Sequence, residues 1–512
     1  MVTTLKISQI REAFMGTYIL AIDQGTTGTT ALFVDEKGQI RAKVNREFSQ
    51  HFPKPGWVEH NLEEIWSSVE ESVGDLCQVM IRDGEKDILK KIKCIGITNQ
   101  RETVGIWSRS SHRAFNNAIV WQCRRTTDFC KKHKKEETWI RRKTGLVLDP
   151  YFSASKIHWL LNNSVGAKPA VKAKDLVAGT MDSFLVWRLT DGGSHVTDVS
   201  NASRTMLMDL KSCKWDKKLL DFFKVPEEIL PRISSSSEIY GYTSGLNFLP
   251  DGIPISGMAG DQQAALFGQA CFKLGEAKCT YGTGSFLLMN TGKEMVRSKA
   301  GLLTTVAWQL AKDKEPTYAL EGSAFICGAA VQWLRDQLKI VNSAEEIEGL
   351  AKTVESTDGV HFVPAFTGLG APYWNPDARG CITGLTRGTN RGHIARACLE
   401  GMAQQNVDLL LAMEKDLKKK MRSLKVDGGA SKNDLLLQMQ SNFLGSTVIR
   451  PTQVETTALG AAFLAGLGAG VWKSKKEIKE IWLKDQEFKS KISVKQRAEK
   501  RRDWNKAVKS SF

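Results

Sequence analysis

The 512-residue chain has no hydrophobic run long enough to cross a membrane. A spanning helix needs roughly 18 consecutive apolar residues, and the nearest candidate, residues 458–472, is mostly alanine and glycine, which is typical of a tightly packed buried helix. The first residues lack the basic-then-apolar pattern of a secretory signal peptide. The last three, Ser-Ser-Phe, differ from a peroxisomal Ser-Lys-Leu address. We therefore expect a cytoplasmic protein with no membrane span.

Paired cysteines and nucleic-acid platforms are also missing. The ten cysteines are scattered, without a Cys-x-x-Cys pair or a metal-ligand cluster, which favours thiols in a reducing compartment over disulfides. Aromatic residues do not alternate with Lys and Arg, so the net charge of +16 does not predict a nucleic-acid partner. Residues 473–512 hold 14 Lys and Arg against 6 Asp and Glu. We interpret this segment as a solvated basic helix, with an anionic partner as the alternative.

The length predicts two large domains, because one hydrophobic core rarely serves 512 residues. Residues 18–48 are predicted to form three strands, and a helix is predicted to begin at Asn61, with Glu64 completing a capping box. Residues 93–98 form a buried strand. The order of strand, hairpin, strand, helix and strand returns after residue 253. This repetition predicts an α/β architecture with a duplicated unit.

Two similar stretches, roughly 240 residues apart, give the first functional signal. An apolar strand leads to Asp261 at the start of an Ala-rich helix, and Gly282-Thr283-Gly284-Ser285 follows between two strand-like runs. Another apolar strand ends in Asp23 and a Gly/Thr turn. Glycine lets backbone N–H groups approach an anion closely. We interpret Asp261 as a proton acceptor and the two turns as half-sites for one phosphate chain. A helix N-cap with a β-hairpin turn is the alternative.

Charged and aromatic residues near other strand ends are candidates for binding a small polyol. Arg101 and Glu102 follow a strand where ligands of open α/β sheets bind, and such a pair can hold neighbouring hydroxyls. A structural salt bridge explains the pair equally well. Trp121 and Tyr151 could cover the carbon face of the polyol, and the alternative is that both are core aromatics. The backbone of the Val426-Asp-Gly-Gly stretch is open enough for an adenosine to lie over it, and the alternative is an ordinary βα turn.

These stretches resemble the glycerol kinases of the FGGY carbohydrate kinase family, within the actin/Hsp70-like ATPase superfamily. The resemblance covers roughly residues 18–472. It implies an α/β fold with two actin/Hsp70-like (ribonuclease H-like) domains flanking a deep cleft. Residues 17–257 would form the glycerol side with the first phosphate loop, residues 258–472 the nucleotide side, and residues 473–512 a basic helical tail. The motifs that carry the resemblance are Ile22-Asp-Gln-Gly-Thr-Thr, Pro55-Gly-Trp-Val-Glu-His, Gly96-Ile-Thr-Asn-Gln-Arg-Glu-Thr, Asn201-Ala-Ser-Arg-Thr, Gly260-Asp-Gln-Gln, Tyr281-Gly-Thr-Gly and Val426-Asp-Gly-Gly.

The resemblance implies ATP-dependent phosphorylation of glycerol to sn-glycerol 3-phosphate by in-line transfer. Asp261 would be the general base, and Asp23 would position Mg²⁺, through water. The implied glycerol contacts are Arg101, Glu102, Tyr151, Asp261 and Gln262, with Trp121 and Phe286 along the carbon side. The implied phosphate and nucleotide contacts are Thr26, Thr27, Gly28, Thr283, Gly328, Gln332, Gly429 and Asn433. A homodimer or homotetramer is expected. The alternatives are a kinase for another small polyol or sugar and an ATP-gated clamp or filament protein.

The chain also departs from the family pattern. Many relatives place Ser and then Arg after Asp-Gln-Gly-Thr-Thr, whereas this chain has Gly28, Thr29 and Thr30, so a cationic phosphate contact is missing there. Bacterial relatives inhibited by fructose 1,6-bisphosphate carry a Gly-rich loop that ends in Arg. Residues 240–251, which we predict to be a surface loop, contain no Arg, Lys or phosphorylatable His. We therefore predict neither form of control.

Overall fold

The computed structural model describes residues 16–375 and 377–512, which divide by their internal contacts into two compact units. Unit 1 takes the chain up to Ala270 together with Trp308–Pro316 and Thr457–Ile481. Unit 2 comprises Cys271–Ala307, Thr317–Thr456 and Trp482–Phe512. The chain therefore passes from one unit to the other several times. The domain boundaries after residues 257 and 472 stay a prediction, because compact units and sequence domains are different divisions of a chain.

Strands and helices alternate along the described chain, as predicted. The strands are β1 (Tyr18–Gln24), β2 (Gly28–Asp35), β3 (Ile40–Glu47), β4 (Glu59–His60), β5 (Ile92–Asn99), β6 (Val104–Ser108), β7 (Ala118–Ile119), β8 (Leu176–Thr180), β9 (Val196–Asp198), β10 (Met208–Asp209), β11 (Lys214–Trp215), β12 (Arg232–Ser234), β13 (Gly241–Tyr242), β14 (Pro254–Gly260), β15 (Glu276–Tyr281), β16 (Ser285–Gly292), β17 (Leu303–Trp308), β18 (Thr317–Ala324), β19 (His361–Val363), β20 (Cys381–Thr383), β21 (Ser423–Asp427), β22 (Val448–Pro451) and β23 (Lys484–Phe488).

The helices are α1 (Leu62–Arg82), α2 (Ile88–Lys91), α3 (Thr127–Lys132), α4 (Glu137–Thr144), α5 (Ser153–Asn163), α6 (Ala167–Lys172), α7 (Met181–Leu189), α8 (Val199–Ala202), α9 (Lys217–Phe223), α10 (Asp261–Gly268), α11 (Gly328–Asp336), α12 (Glu346–Ala351), α13 (Arg391–Leu417), α14 (Asp434–Leu444), α15 (Thr456–Gly468), α16 (Lys475–Ile481) and α17 (Val494–Lys509). Short 3₁₀ turns lie at Lys134–Glu136, Glu227–Ile229 and Gly429–Lys432. Among the described helices, none combines the length and the hydropathy of a membrane-spanning segment.

The main sheet of unit 1 has six strands in the order β13-β14-β5-β1-β2-β3. Strands β14, β5 and β1 are parallel, and β1, β2 and β3 form an antiparallel meander. The central strands are apolar because both faces of the sheet are covered. An apolar stripe along α1, from Leu62 to Met80, is buried. This sheet therefore carries the first half of the predicted duplication.

Unit 2 repeats that topology in a seven-stranded sheet of order β17-β18-β16-β15-β21-β22-β23. Strands β15, β16 and β18 form an antiparallel meander like that of β1, β2 and β3. Strands β21 and β22 extend it in parallel, as β5 and β14 do in unit 1. Helix α13 supplies much of the hydrophobic core of this unit. The predicted duplicated unit is therefore confirmed.

Helix α15 packs against its neighbours more closely than ordinary side chains allow. A Cβ atom added at Gly460 would lie 1.8 Å from the carbonyl oxygen of Ala264, and one added at Gly257 would lie 2.2 Å from the backbone nitrogen of Ala465. Glycine and alanine are needed here because two backbones approach each other. The predicted buried helix is thus confirmed, although it ends at Gly468.

Two local predictions are wrong. Asn61 does cap α1, but its side chain accepts from the N–H of Glu63, and Glu64 does not close a capping box. The Glu64 carboxylate instead lies 3.2 Å from the imidazole of His51. Residues 240–251 were predicted as a surface loop, yet Gly241 and Tyr242 pair with β14. A tertiary partner overrides the local preference in both places.

The basic C-terminal segment is not a simple solvated helix. It forms α16, the edge strand β23 and α17, and the indole of Trp504 in α17 is buried. The Nε1–H of Trp504 donates to Asp408 at 2.8 Å, and Lys500 forms an ion pair with Glu400 at 3.2 Å. Part of the positive charge is therefore used inside unit 2. All ten cysteines are free thiols.

Candidate active site

The parallel strands of unit 1 bring three predicted segments to one edge of the sheet. Gln24, Asn99 and Gly260 are aligned in one row across β1, β5 and β14. The Gly/Thr turn, the Arg101–Glu102 pair and Asp261 each begin immediately beyond this row. Because the carboxyl ends of parallel strands meet at one edge, residues far apart in sequence become neighbours.

Arg101 and Asp261 form an ion pair at this edge. The Nε of Arg101 lies 3.0 Å from Oδ1 of Asp261, and its Nη1 donates to Oε1 of Gln263 at 3.2 Å. The same Oδ1 accepts the backbone N–H of Gln262 at 2.7 Å. The Arg101 side chain is 2% exposed, whereas that of Asp261 is 31% exposed. The carboxylate is thus oriented through one oxygen and stays accessible.

Gly260 explains how the arginine reaches this position. A Cβ atom at Gly260 would lie 2.6 Å from Cγ and 2.7 Å from Cδ of Arg101. The side chain therefore runs over the glycine to the first residue of α10. Any larger residue at position 260 would displace the guanidinium from Asp261.

Glu102 has a closer cationic partner than its neighbour in sequence. Its Oε1 lies 4.0 Å from Nε of Arg101 but accepts from Nε of Arg204 at 2.5 Å. Both Glu102 and Arg204 are buried. The sequence does not predict this contact of Arg204, although the Asn201-Ala-Ser-Arg-Thr stretch that contains it is among the family motifs. The predicted pair is therefore part of a larger group of charges rather than an isolated salt bridge.

Trp121 and Tyr151 form an aromatic corner beside this group. Their ring centroids are 5.6 Å apart, at 75° to each other, and both residues are only half-buried. The indole Nε1–H of Trp121 donates to Oγ1 of Thr26 at 3.0 Å, which ties the corner to the Gly/Thr turn. Both rings are therefore only partly buried at this edge, and their contact with the carbon face of a ligand stays a prediction.

A neutral hydrogen-bond network supports the turn from behind. Nε2 of Gln100 donates to the carbonyl oxygen of Gly25 at 3.1 Å and lies 3.2 Å from Nδ1 of His60. His60 Nε2 lies 2.7 Å from Oε1 of Gln50, whose amide donates to the carbonyl oxygen of Thr26 at 2.9 Å. Burial lowers the pKa of His60 to about 4, so the imidazole is neutral near pH 7. The network therefore holds the turn without adding charge.

The predicted phosphate and metal residues in and before the turn differ in exposure. Asp23 and Thr26 are half-buried and Thr27 is exposed. Gly28 is buried, and a Cβ atom there would lie 2.8 Å from the carbonyl oxygen of Arg46. The part of the chain that the structure describes has no group of three His, Cys, Asp or Glu side chains able to hold a metal ion. Asp23 fits Mg²⁺ in another way, because this ion often binds through one or two carboxylates, phosphate oxygens and water.

Unit 2 has its own candidate site at the end of β15. The carbonyl oxygen of Thr283 accepts N–H groups of Cys327 and Ala329 at 2.8 and 3.1 Å. The N–H of Gly328 donates to the carbonyl oxygen of Gly282 at 3.0 Å. The hairpin turn and the start of α11 are therefore joined through their backbones. The predicted residues Thr283 and Gly328 lie together here.

The glycine turn after β21 approaches the same strand. Gly428 has a φ of +83°, and a Cβ atom there would lie 2.5 Å from the carbonyl oxygen of Tyr281. Gly429 is exposed, with open space around it. The Oδ1 of Asn433 accepts the N–H of Leu436 at 2.8 Å and caps α14. This edge is made of backbone and small residues.

Two predicted residues lie apart from these contacts. Gln332 is exposed on α11, one turn beyond Gly328. Phe286 is half-buried on β16 and belongs to unit 2, whereas Trp121 belongs to unit 1. The placement of Phe286 along the carbon side of a ligand stays a prediction.

Comparisons with known proteins agree with this architecture. The chain matches the N-terminal domain of the FGGY family of carbohydrate kinases over residues 18–268 and its C-terminal domain over residues 277–469. It is 58% identical to a glycerol kinase of Bdellovibrio bacteriovorus, over 97% of this chain and 99% of that protein. The crystal structure of Plasmodium falciparum glycerol kinase with ADP is similar, with a TM-score of 0.91, 39% identity and coverage of 97% and 98%. A gluconate kinase from Lactobacillus acidophilus shares the fold, with a TM-score of 0.83, 23% identity and 97% coverage of both chains. The chain therefore belongs to the FGGY family of carbohydrate kinases and is an enzyme of that family.

Proposed function

We propose that this kinase transfers the γ-phosphoryl group of ATP to glycerol and produces sn-glycerol 3-phosphate. The observation that carries the proposal is near-full-length similarity to glycerol kinases, at 58% identity to the Bdellovibrio bacteriovorus protein. The edge of unit 1 supports it independently, because donors and acceptors for hydroxyl groups stand beside an accessible carboxylate. The similarity to the glycerol kinase solved with ADP supports the use of an adenine nucleotide.

In this proposal Asp261 is the general base for the terminal hydroxyl. Its Oδ1 is held by Arg101 and by the N–H of Gln262, so Oδ2 accepts the proton as the oxygen attacks phosphorus in line. Glu102 accepts from a second hydroxyl, and Arg101 donates to one. The rings of Trp121 and Tyr151 contact the carbon side, with Phe286 and Gln262 as further contacts.

The phosphate and nucleotide contacts use mainly backbone groups. In unit 1 the turn through Thr26, Thr27 and Gly28 offers N–H groups and hydroxyls to phosphate oxygens. Asp23 would hold Mg²⁺, and the bound ion would neutralise charge on the phosphates. In unit 2 the contacts are Thr283, Gly328, Gln332, Gly429 and Asn433. We also propose that the enzyme is a homodimer or homotetramer and that it is cytoplasmic. The ten free cysteines support a reducing compartment.

An acceptor panel tests the function. Purified enzyme is supplied with ATP, Mg²⁺ and glycerol, xylulose, gluconate or no acceptor, and ADP release is measured. We expect release with glycerol and a product that sn-glycerol-3-phosphate dehydrogenase oxidises. Faster turnover of xylulose or gluconate would favour another polyol or sugar as substrate. ADP release without any acceptor would favour an ATP-gated clamp.

A further inference from the structure

Lys156 carries a buried ammonium group that the proposed chemistry does not use. It lies in the first turn of α5, and its side chain is completely buried. No carboxylate in the described part of the chain forms an ion pair with it. The first turn is the positive end of the helix dipole, so a cation gains nothing from the helix there. Stability alone therefore favours an apolar side chain at this position.

The ammonium group donates to two backbone oxygens of the polyol site. Its Nζ lies 2.7 Å from the carbonyl oxygen of Tyr151 and 3.3 Å from that of Glu102. These residues belong to separate segments, and each is assigned above to a glycerol contact. One buried cation thus connects the backbone of Tyr151, in the aromatic corner, with the backbone of Glu102.

Glu102 needs such support because of its backbone conformation. Its φ is +62°, in the left-handed region that non-glycine residues adopt only at an energetic cost. Oγ of Ser153 also donates to the Glu102 carbonyl oxygen, at 3.1 Å. The two donors therefore hold the peptide that determines where the carboxylate of Glu102 points.

We propose that Lys156 is a positioning residue that determines affinity for the acceptor, acting through the backbones of Glu102 and Tyr151. The inference rests on the proposed function, since it assumes that these two residues bind glycerol. It assigns no contact with glycerol, ATP or the reacting atoms to Lys156. The expected effect is therefore on acceptor binding and not on nucleotide binding.

The protonation state of Lys156 provides an additional readout. Burial lowers the pKa of this lysine to about 7, while the nearby Glu102, Cys123 and Asp149 raise it and Arg124 lowers it. Charge-assisted hydrogen bonds are stronger than those of a neutral amine. Glycerol affinity should therefore weaken as the pH rises through neutrality.

The test compares three variants by steady-state kinetics and thermal melting. Lys156→Met removes the donors but keeps a long unbranched side chain, and Ser153→Ala removes the second donor to Glu102. Lys168→Met is the matched control, because it makes the same change at an exposed lysine of α6. We expect Lys156→Met to raise the glycerol KM about 10- to 100-fold and Ser153→Ala to raise it about threefold. The ATP KM of both variants, and all constants of the control, should stay within about twofold.

The pH dependence separates positioning from a merely structural role. Between pH 6 and 8.5 the glycerol KM of the wild type should rise several-fold, and that of Lys156→Met should be high and flat. Unchanged glycerol KM values in Lys156→Met and Ser153→Ala, or equal rises for glycerol and ATP, would overturn the inference. If Lys156→Met does not fold, Ser153→Ala decides by the same criterion. A wild type without glycerol-dependent ADP release would instead overturn the proposed function.

Discussion

The two units repeat one topology but end in edges of opposite chemistry. The edge of unit 1 is built from charged side chains. Arg101 pairs with Asp261, Arg204 pairs with Glu102, and Arg101 and Glu102 lie 4.0 Å apart. The edge of unit 2 is built from glycines and backbone groups around Gly282–Gly284 and Gly428–Gly429. The repeated fold supplies the position of a site, and the residues that follow each strand supply its chemistry.

This difference matches two kinds of ligand. Hydroxyl groups are neutral and need donors and acceptors at defined places, which buried side chains provide. Phosphate is already charged and is bound well by clustered N–H groups on an open backbone. Substitutions of the charged side chains in unit 1 and of the glycines in unit 2 should therefore change different kinetic constants.

The largest effect is expected at the accessible carboxylate of unit 1. Asp261→Asn keeps the shape of the side chain and an oxygen for the contact with Arg101, but it removes the proposed proton acceptor. We expect kcat to fall by about 10²–10⁴-fold, with glycerol and ATP binding retained. Stopped assays with purified protein, together with binding titrations, measure both quantities. Near-wild-type turnover would show that Asp261 is not the base.

The second prediction separates acceptor binding from nucleotide binding. Ala at Arg101 or Glu102 should raise the glycerol KM by at least tenfold, because each variant removes a group that we propose to bind a hydroxyl. The ATP KM should change far less. Thermal melting serves as the control, since Glu102→Ala leaves Arg204 buried without its close partner. Equal effects on both KM values, or loss of folding alone, would return the pair to a structural role.

The next prediction applies the opposite test to unit 2. Gly429 has open space around it, so an added methyl group meets no protein atom within 4 Å. Gly429→Ala should therefore fold normally yet raise the ATP KM several-fold if the nucleotide lies over this turn. The glycerol KM should be unchanged. Gly74→Ala, at another open glycine within α1, is the control. An unchanged ATP KM would remove Gly429 from the nucleotide site.

These edges show what the sequence could predict. Strand ends follow from local patterns of apolar residues and glycine, so Asp23, Arg101 and Asp261 were placed at the correct edge. The contact of Arg204 with Glu102 could not be predicted, because it joins residues 102 positions apart. Local periodicity contains no information on such a pair.

Contacts between residues far apart in the fold also explain the other differences between the predicted and the observed structure. The segment after residue 472 has the composition of an exposed helix, but a single large side chain, Trp504, finds a buried site beside Asp408. Glu64 had the spacing of a capping box, and His51 competes for its carboxylate. In each place a tertiary contact decides between conformations that local preference leaves nearly equal in energy.

A smaller effect is expected in the acid sensitivity of unit 1, which contains both His60 and Asp182. Because burial lowers the folded-state pKa of His60 to about 4, the unfolded chain binds more protons between pH 6.5 and 4. Stability is therefore lost as the pH falls through this window, by up to about 3 kcal/mol for the full shift. His60→Gln, which can still donate and accept, should make melting less dependent on pH there. Asp182, whose pKa burial raises to about 6, acts in the opposite direction in both proteins, so the comparison isolates His60. A pH dependence equal to that of the wild type would contradict the assignment.

The smallest expected effect is that of fructose 1,6-bisphosphate on the reaction rate. The segment in question lines a surface cavity of about 990 Å³ in unit 1, away from the candidate site. Residues 244–247 line it together with Arg113, Arg188 and Glu63. The structure thus adds cations that the loop itself lacks. Arg188 is already engaged, because its Nη1 donates to both carboxylate oxygens of Glu63 at 2.8 Å and its guanidinium lies over the ring of Trp66.

We therefore expect no inhibition by fructose 1,6-bisphosphate. A bisphosphate needs several donors, and breaking the Arg188–Glu63 pair to recruit one would leave a carboxylate facing the phosphates. Initial rates at subsaturating glycerol and rising bisphosphate measure the effect, with free Mg²⁺ held constant because the effector chelates the metal. Inhibition that persists under these conditions, and that disappears in Arg113→Ala, would show that neighbouring segments replace the arginine missing from the loop. Inhibition that disappears when free Mg²⁺ is fixed would leave the prediction intact, because the metal and not the loop would then explain it.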